Sequence, residues 1–130
     1  MTDPQDIEET ELATEEVIHI PDHLPTMALK DVVLFPFTIV PLSVGREASI
    51  RAVDQALSAN RPILMLTQKD PTVESPAEDD LFQVGCVAQV MRMLKLPDGN
   101  IRILVQGLAR ARVDYFPSTE PHLEARITRL

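Results

Sequence analysis

The stretch Val84–Phe116, VGCVAQVMRMLKLPDGNIRILVQGLARARVDYF, decides the fold class. Two strand-like runs flank LPDGN, in which Pro97 presets a turn and Gly99 supplies the positive φ that a hairpin turn requires. The returning run alternates Ile101, Ile103 and Val105 with Arg102, Leu104 and Gln106, the two-residue period of a strand with one buried face. With the turn placed at Pro97–Asn100, Leu96 stands opposite Ile101 and Leu94 opposite Ile103, which makes a clean core face. The other face then pairs Met93 with Leu104 and Lys95 with Arg102, with Met91 further along. That face is more mixed than a core and more apolar than ordinary solvent-facing surface. Methionine adapts to irregular partners, so Met91, Met93 and Leu104 are candidate polypeptide-binding residues. The competing reading is that another element of the same domain covers this face.

Outward from the hairpin, HLEARITRL at 122–130 reads as a further strand and PILMLT at 62–67 as a buried one. Between PILMLT and the hairpin, QKDPTVESPAEDDLF is a polar loop broken by Pro71 and Pro76. Its acids Glu78, Asp79 and Asp80 lack the alternating oxygen ligands and glycine of a calcium loop, so a solvated turn or helix start is expected. The best helix is GREASIRAVDQALSANRP, Gly45–Pro62. Ile50, Val53 and Leu57 give it an apolar stripe, and Asn60 and Pro62 give it a stop. Glu47 and Arg51 stand four apart in the favourable order for an outward ion pair and form a second candidate surface.

The most apolar part of the chain is LKDVVLFPFTIVPLSVGRE, Leu29–Glu47. Charges bracket it and Pro36 and Pro41 interrupt it, so it does not make the roughly 20-residue apolar helix that spans a membrane. Its Val, Ile and Phe content predicts strands that bend at the prolines and pack into the core. The resulting fold class is mainly β with one prominent helix, a small partly closed barrel or folded sheet.

The formal charge of −8 is unevenly placed. Residues 1–25 hold eight acids and no Lys or Arg, whereas residues 26–130 hold twelve of each sign. The sequence therefore divides into an acidic tail, residues 1–23, expected to be disordered, and a neutral domain at 24–130. Nothing resembles the basic stripe that nucleic-acid binding requires. The single cysteine, Cys86, cannot form an internal disulfide and fits a reducing cytosol. It lies among Val84, Val87 and Val90, which predicts a buried, inert thiol.

Signals for catalysis are absent. The four glycines are too scattered for a phosphate-cradling loop, and neither G-x-x-x-x-G-K-[ST] nor G-x-S-x-G occurs. His19 and His23 have helical metal-ligand spacing. Pro21 opposes that helix, however, and no further His or Cys lies nearby, so they read as linker histidines rather than a metal site.

The blocks LKDVVLFPFTIVPLSVGREASIRAVDQAL, ILMLTQKD and DDLFQVGCVAQVMRMLKLPDGNIRILVQGLARARV resemble, in order and spacing, the N-terminal domain of the ATP-dependent Lon proteases. The resemblance covers residues 24–130. It implies a PUA-like, mainly β fold with one helix, in a cytoplasmic homohexamer that unfolds and degrades damaged, misfolded and regulatory proteins. There this domain recognises substrates and supports assembly with other subunits. ATP, Mg and a Ser–Lys dyad belong to later regions of such proteins. No motif of those regions occurs in these 130 residues, so no catalytic, cofactor-binding or metal-binding residue carries over. The expected partners are unfolded or damaged proteins and further subunits, with neither nucleic acid nor membrane. A stand-alone adaptor or ligand-binding module of the same domain type is the alternative.

Overall fold

The computed structural model describes residues 20–130. The acidic segment before Ile20, including His19 and most of the expected disordered tail, lies outside them. Six strands and one α-helix follow: β1 (His23–Leu29), β2 (Ile39–Val44), α1 (Glu47–Ser58), β3 (Ile63–Thr67), β4 (Val84–Lys95), β5 (Ile101–Ser118) and β6 (Leu123–Arg129). A 3-10 turn, Glu78–Asp80, precedes β4, and the Asp80 carboxylate accepts the Ala77 N–H at 2.7 Å, giving the acidic run a capping role.

The sheet runs β2-β5-β4-β3-β1-β6, and β6 pairs back onto β5. Strands β5, β4, β3, β1 and β6 therefore close a ring, and β2 remains outside it on the first half of β5. Leu24, Leu64, Leu66, Val87, Ala111, Val113, Ala125 and Ile127 fill one core, with every ring strand contributing. A second core forms on the other face of β1, β3 and β4, where Met27, Ile63, Met65, Cys86 and Ala88 meet α1, β2 and the start of β5. Burial on both faces is why ILML is an uninterrupted apolar run rather than an alternating one. β1 and β3 are parallel, which requires a crossover, and α1 lies within it.

α1 presents Ser49, Ala52, Val53 and Ala56 inward, while Leu57 is exposed. The buried stripe is thus rotated from the expected Ile50–Val53–Leu57 line, because small residues let the helix sit closer to the sheet. The stop is as expected. Asn60 adopts φ 52°, and Arg61 and Asn60 donate their N–H groups to the carbonyls of Ala56 (2.8 Å) and Leu57 (3.2 Å), which is a Schellman cap.

Two expectations are corrected. The first strand is His23–Leu29, ahead of the apolar stretch, and residues 30–38 are loop. Within that stretch Val32, Val33, Phe35, Phe37 and Ile39 are exposed, and after Leu29 only Leu34 and Val44 are fully buried. The second correction concerns the hairpin. Leu96 donates its N–H to Asn100 O at 2.9 Å, so the loop is the three residues Pro97–Gly99, with Gly99 at φ 91°. The register shifts by one: Met93 faces Ile103 and Leu94 faces Arg102. A one-residue slip exchanges the faces of a strand, so Met93 packs against the core and Leu94 is exposed.

Candidate functional site

The loop between β1 and β2 is built to hold aromatic side chains in water. In Phe35-Pro36-Phe37-Thr38, proline presets the first turn position and Phe37 takes φ 68° at the second. That left-handed conformation is normally left to Gly or Asn and costs a bulky L-residue roughly 1–2 kcal/mol. Four bonds hold it, the longest being the turn's own Thr38 N–H to Phe35 O at 3.4 Å. Thr38 Oγ1 donates to Phe35 O at 2.6 Å, Phe37 N–H donates to Gly107 O at 2.8 Å, and Gly107 N–H donates to Thr38 O at 2.9 Å. Gly107 is required for this approach, because a β-carbon there would lie 2.2 Å from Phe35 O. Phe37 is left 85% exposed and Phe35 54%.

The turn leads into β2, whose outward residues are partly apolar. Gly107 bonds Thr38 O, so by two-residue alternation Val40 and Leu42 turn their backbones toward β5, while Ile39, Pro41 and Ser43 turn theirs to the open edge. Pro41 therefore sits where a missing N–H breaks no ladder bond. Across the sheet the outward side chains form rows: Ile39 with Gln106 and Gln89, Pro41 with Leu104 and Arg92, and Ser43 with Arg102 and Leu94. Met91 joins this surface through a bulge between Val90 and Arg92, which leaves Met91 and Arg92 both exposed. The result is a mixed face in which Ile39, Pro41, Leu104, Leu94 and Met91 lie among Gln89, Gln106, Ser43, Arg92 and Arg102.

Of the residues singled out in the sequence, Met91 and Leu104 lie on this face. Met93 lies behind it, half-buried against the helix-side core, so the hairpin does not bring the three together. Glu47 and Arg51 form the expected ion pair at 2.7 Å on the exterior of α1. They flank an open cleft of about 1000 Å³ lined also by Arg46, Glu74, Glu78 and Glu120. A smaller cleft of about 420 Å³ borders it, between residues 27–32 and Pro41–Arg46. Both are too open to enclose a small molecule as a buried pocket does.

Val33, Phe35, Phe37, Leu94 and Ile39 were missed by sequence reasoning. The phrase FPFT carried a usable signal, since Pro followed by a residue that must turn back places its neighbours at a bend, where side chains are hard to bury.

No group of three or more His, Cys, Asp or Glu side chains suited to a metal occurs among the described residues. Cys86 is buried, and that burial pushes its thiol up from the ordinary value, against weaker lowering by the N–H groups of Leu108 and Ala109 and by the charge of Arg110. A thiol held protonated is a poor nucleophile. Among the described residues no helix is long and apolar enough to cross a membrane.

Comparisons with known proteins place this architecture among known folds. Two solved structures share the fold. The N-terminal domain of Mycobacterium avium complex Lon protease matches with TM-score 0.61 and 20% identity over 83% of this chain and 54% of that one. The Lon N-terminal domain protein from Xanthomonas campestris matches with TM-score 0.62 and 16% identity over 82% of this chain and 59% of that one. In sequence, the chain is 51% identical over 122 residues to the Lon protease of Trichlorobacter lovleyi, covering 94% of this chain and 15% of that protein. It is 47% identical over 116 residues to Lon protease 2 of Bdellovibrio bacteriovorus, covering 89% and 14%. The chain thus spans about one-seventh of the length of these relatives, and no ATPase or protease motif lies within it. Residues 23–130, from the first residue of β1 onward, match the model of the ATP-dependent protease La (LON) substrate-binding domain. This match, over nearly all the described residues, places the chain in the LON substrate-binding domain family.

Proposed function

We propose that this domain captures exposed apolar segments of unfolded polypeptides on the surface formed by the Phe35–Thr38 turn and the outer face of β2, β5 and β4. The observation that carries this reading is Phe37, held at a positive φ with its ring in solvent. Backbone strain persists where surrounding structure over-determines it, and it concentrates at ligand-contacting sites. Val33, Phe35, Ile39, Leu94 and Leu104 widen the patch, and Met91 adds a side chain that adapts to varied partners. Each buried apolar Å² contributes about 25 cal/mol, and ordering a flexible ligand removes much of that, so one domain binds weakly. Several copies in one assembly bind far more tightly through effective concentration, which gives oligomerisation of the longer protein a direct role in selection. In that setting the domain hands polypeptide to ATP-driven unfolding and peptide cleavage performed by other regions, in a cytoplasm that keeps Cys86 reduced.

The test is photocrosslinking from probes placed at Val33 and Leu104, with one client protein in native and unfolded forms. Selective labelling of the unfolded form, reduced by Phe37→Ser with Ile39→Ser, is expected. Equal labelling of both forms overturns the reading. Labelling lost only in Glu47→Gln with Arg51→Gln moves the site to the α1 cleft.

A further inference from the structure

Two neighbouring rows of the outer β2–β5–β4 face each set one arginine beside a leucine. In one row Pro41 stands opposite Leu104 and Leu104 opposite Arg92. In the next, Ser43 stands opposite Arg102 and Arg102 opposite Leu94. Arg92 and Arg102 are therefore diagonal neighbours on adjacent strands, with β-carbons about 7–8 Å apart. Both are exposed, and among the described residues neither guanidinium has a carboxylate within 4.0 Å. Elsewhere the fold supplies partners: Arg51, Arg61, Arg112 and Arg126 lie 2.7–3.9 Å from carboxylates, and Arg46 donates to Val73 O at 3.2 Å. The segments that make this face, Ile39–Val44, Gln89–Lys95 and Ile101–Gln106, contain no Asp or Glu at all. Its positive charge thus has no counterion within the face.

That arrangement discriminates among apolar ligands. A segment that covers Leu104 and Leu94 also strips water from the guanidinium groups beside them, which is costly unless the segment brings acceptors of its own. A carboxylate meets the need, because guanidinium takes it with two parallel hydrogen bonds and stays planar enough to stack on an aromatic ring nearby. Side chains two apart on an extended ligand are about 6.6 Å from one another, close to the spacing of the two rows. A ligand Lys or Arg meets like charge at the same place.

We propose that Arg92 and Arg102 make this face selective for apolar segments that carry Asp or Glu side chains, and turn it against segments that carry Lys or Arg. The proposal rests on the reading that this face captures polypeptide, and it adds the charge of what is captured. The chain's own formal charge of −8 predicts the opposite order of affinities. The ranking therefore separates the local guanidinium pair from the field of the whole protein.

Short peptides of Leu, Val, Phe and Ser with both ends blocked test it by calorimetric titration of the full chain. Two interior positions, two apart, are set to Glu, to Gln or to Lys. At ~20 mM salt the Glu peptide is expected to bind about fivefold more tightly than the Gln peptide, and the Lys peptide more weakly than either. At ~0.3 M salt, where screening is strong, the three are expected to converge. Arg92→Gln with Arg102→Gln, both at exposed positions, is expected to bring the Glu peptide to the level of the Gln peptide and to leave the latter within about twofold. Arg110→Gln with Arg112→Gln removes the same charge from the other half of β5 and is expected to preserve the ranking. Equal affinities for the Glu and Gln peptides in the parent chain, or a ranking that survives the loss of Arg92 and Arg102, overturn the proposal. Capture by this face still stands in that case if Phe37→Ser with Ile39→Ser weakens the Gln peptide. If that turn variant binds the Gln peptide as well as the parent does, or if no peptide binds the parent, the capture reading fails and the selectivity falls with it.

Discussion

Phe37 donates its N–H to Gly107 O at 2.8 Å, and Gly107 has its Cα pressed against the carbonyl of Phe35, which would stand 2.2 Å from any added β-carbon. The exposed turn and the middle of β5 are therefore one unit. Gly107 lies beside the register shift between Val87 and Ala88, where β5 passes from the helix-side core to the core inside the ring. Gly107→Ala must displace the turn's backbone, which cannot swing aside as a side-chain tip can. The added methyl also reaches Cys86 Sγ at 3.1 Å. A loss of about 2–4 kcal/mol in denaturant unfolding is expected, with the largest chemical-shift changes at Phe35–Thr38.

Phe37 separates stability from function. Its φ of 68° is comfortable for glycine, and its ring, 85% exposed, contributes little burial to the fold. Phe37→Gly is expected to leave the melting temperature unchanged or raise it, by up to about 1 kcal/mol in unfolding free energy. The same change is expected to weaken binding of an apolar peptide by about tenfold, equivalent to about 1.4 kcal/mol. Calorimetric melting and fluorescence anisotropy on one pair of proteins check both. A variant that loses stability and keeps its affinity would remove Phe37 from the site.

Much of the fold was legible because the periodicities were clean. Ile101–Ile103–Val105, the uninterrupted ILML and the Asn60 stop each depend on short-range stereochemistry, and each is realised. Face and exposure were less legible. The hairpin loop contains three residues rather than four, a choice made by the Leu96–Asn100 bond, and that one step exchanged Leu94 for Met93. The apolar stretch misled for a different reason. Composition reports how much apolar surface a segment carries, and only tertiary contacts say whether it is buried. Phe35 and Phe37 look like core residues in sequence, and the turn at Pro36 holds them outside. The candidate surface was thus half found: Met91 and Leu104 were identified, and the aromatic half was assigned to the interior.

The hairpin register can be read in solution from two aspartates. Leu94 is 60% exposed, so Leu94→Asp buries no charge and is expected to change stability by less than about 0.5 kcal/mol. Met93 packs on the helix-side core opposite Ile103, and Met93→Asp forces a carboxylate into that contact. A cost of about 2–4 kcal/mol follows. Urea titration of both variants decides the matter, because the four-residue loop would reverse the order of their midpoints. Leu94→Asp is the cleaner probe of capture, since it alters the outer face without loosening the core.

Cys86 gives a pH signature. Burial raises its thiol above the ordinary value of 9.0, against weaker lowering by the Leu108 and Ala109 N–H groups and by Arg110. As pH climbs past the value of the unfolded thiol, the unfolded chain releases its proton while the folded chain keeps it. The folded state then binds more protons, so stability falls with rising pH across the window between the two values and is at its full level below it. Cys86→Ala lacks this linkage. Between about pH 7 and pH 10 its urea midpoint is expected to decline less than that of the parent chain, after a modest and pH-independent loss of about 1 kcal/mol from the vacated sulfur position. Parallel declines in the two proteins would show that the alkaline sensitivity belongs to other groups and that the thiol is not held protonated by the core.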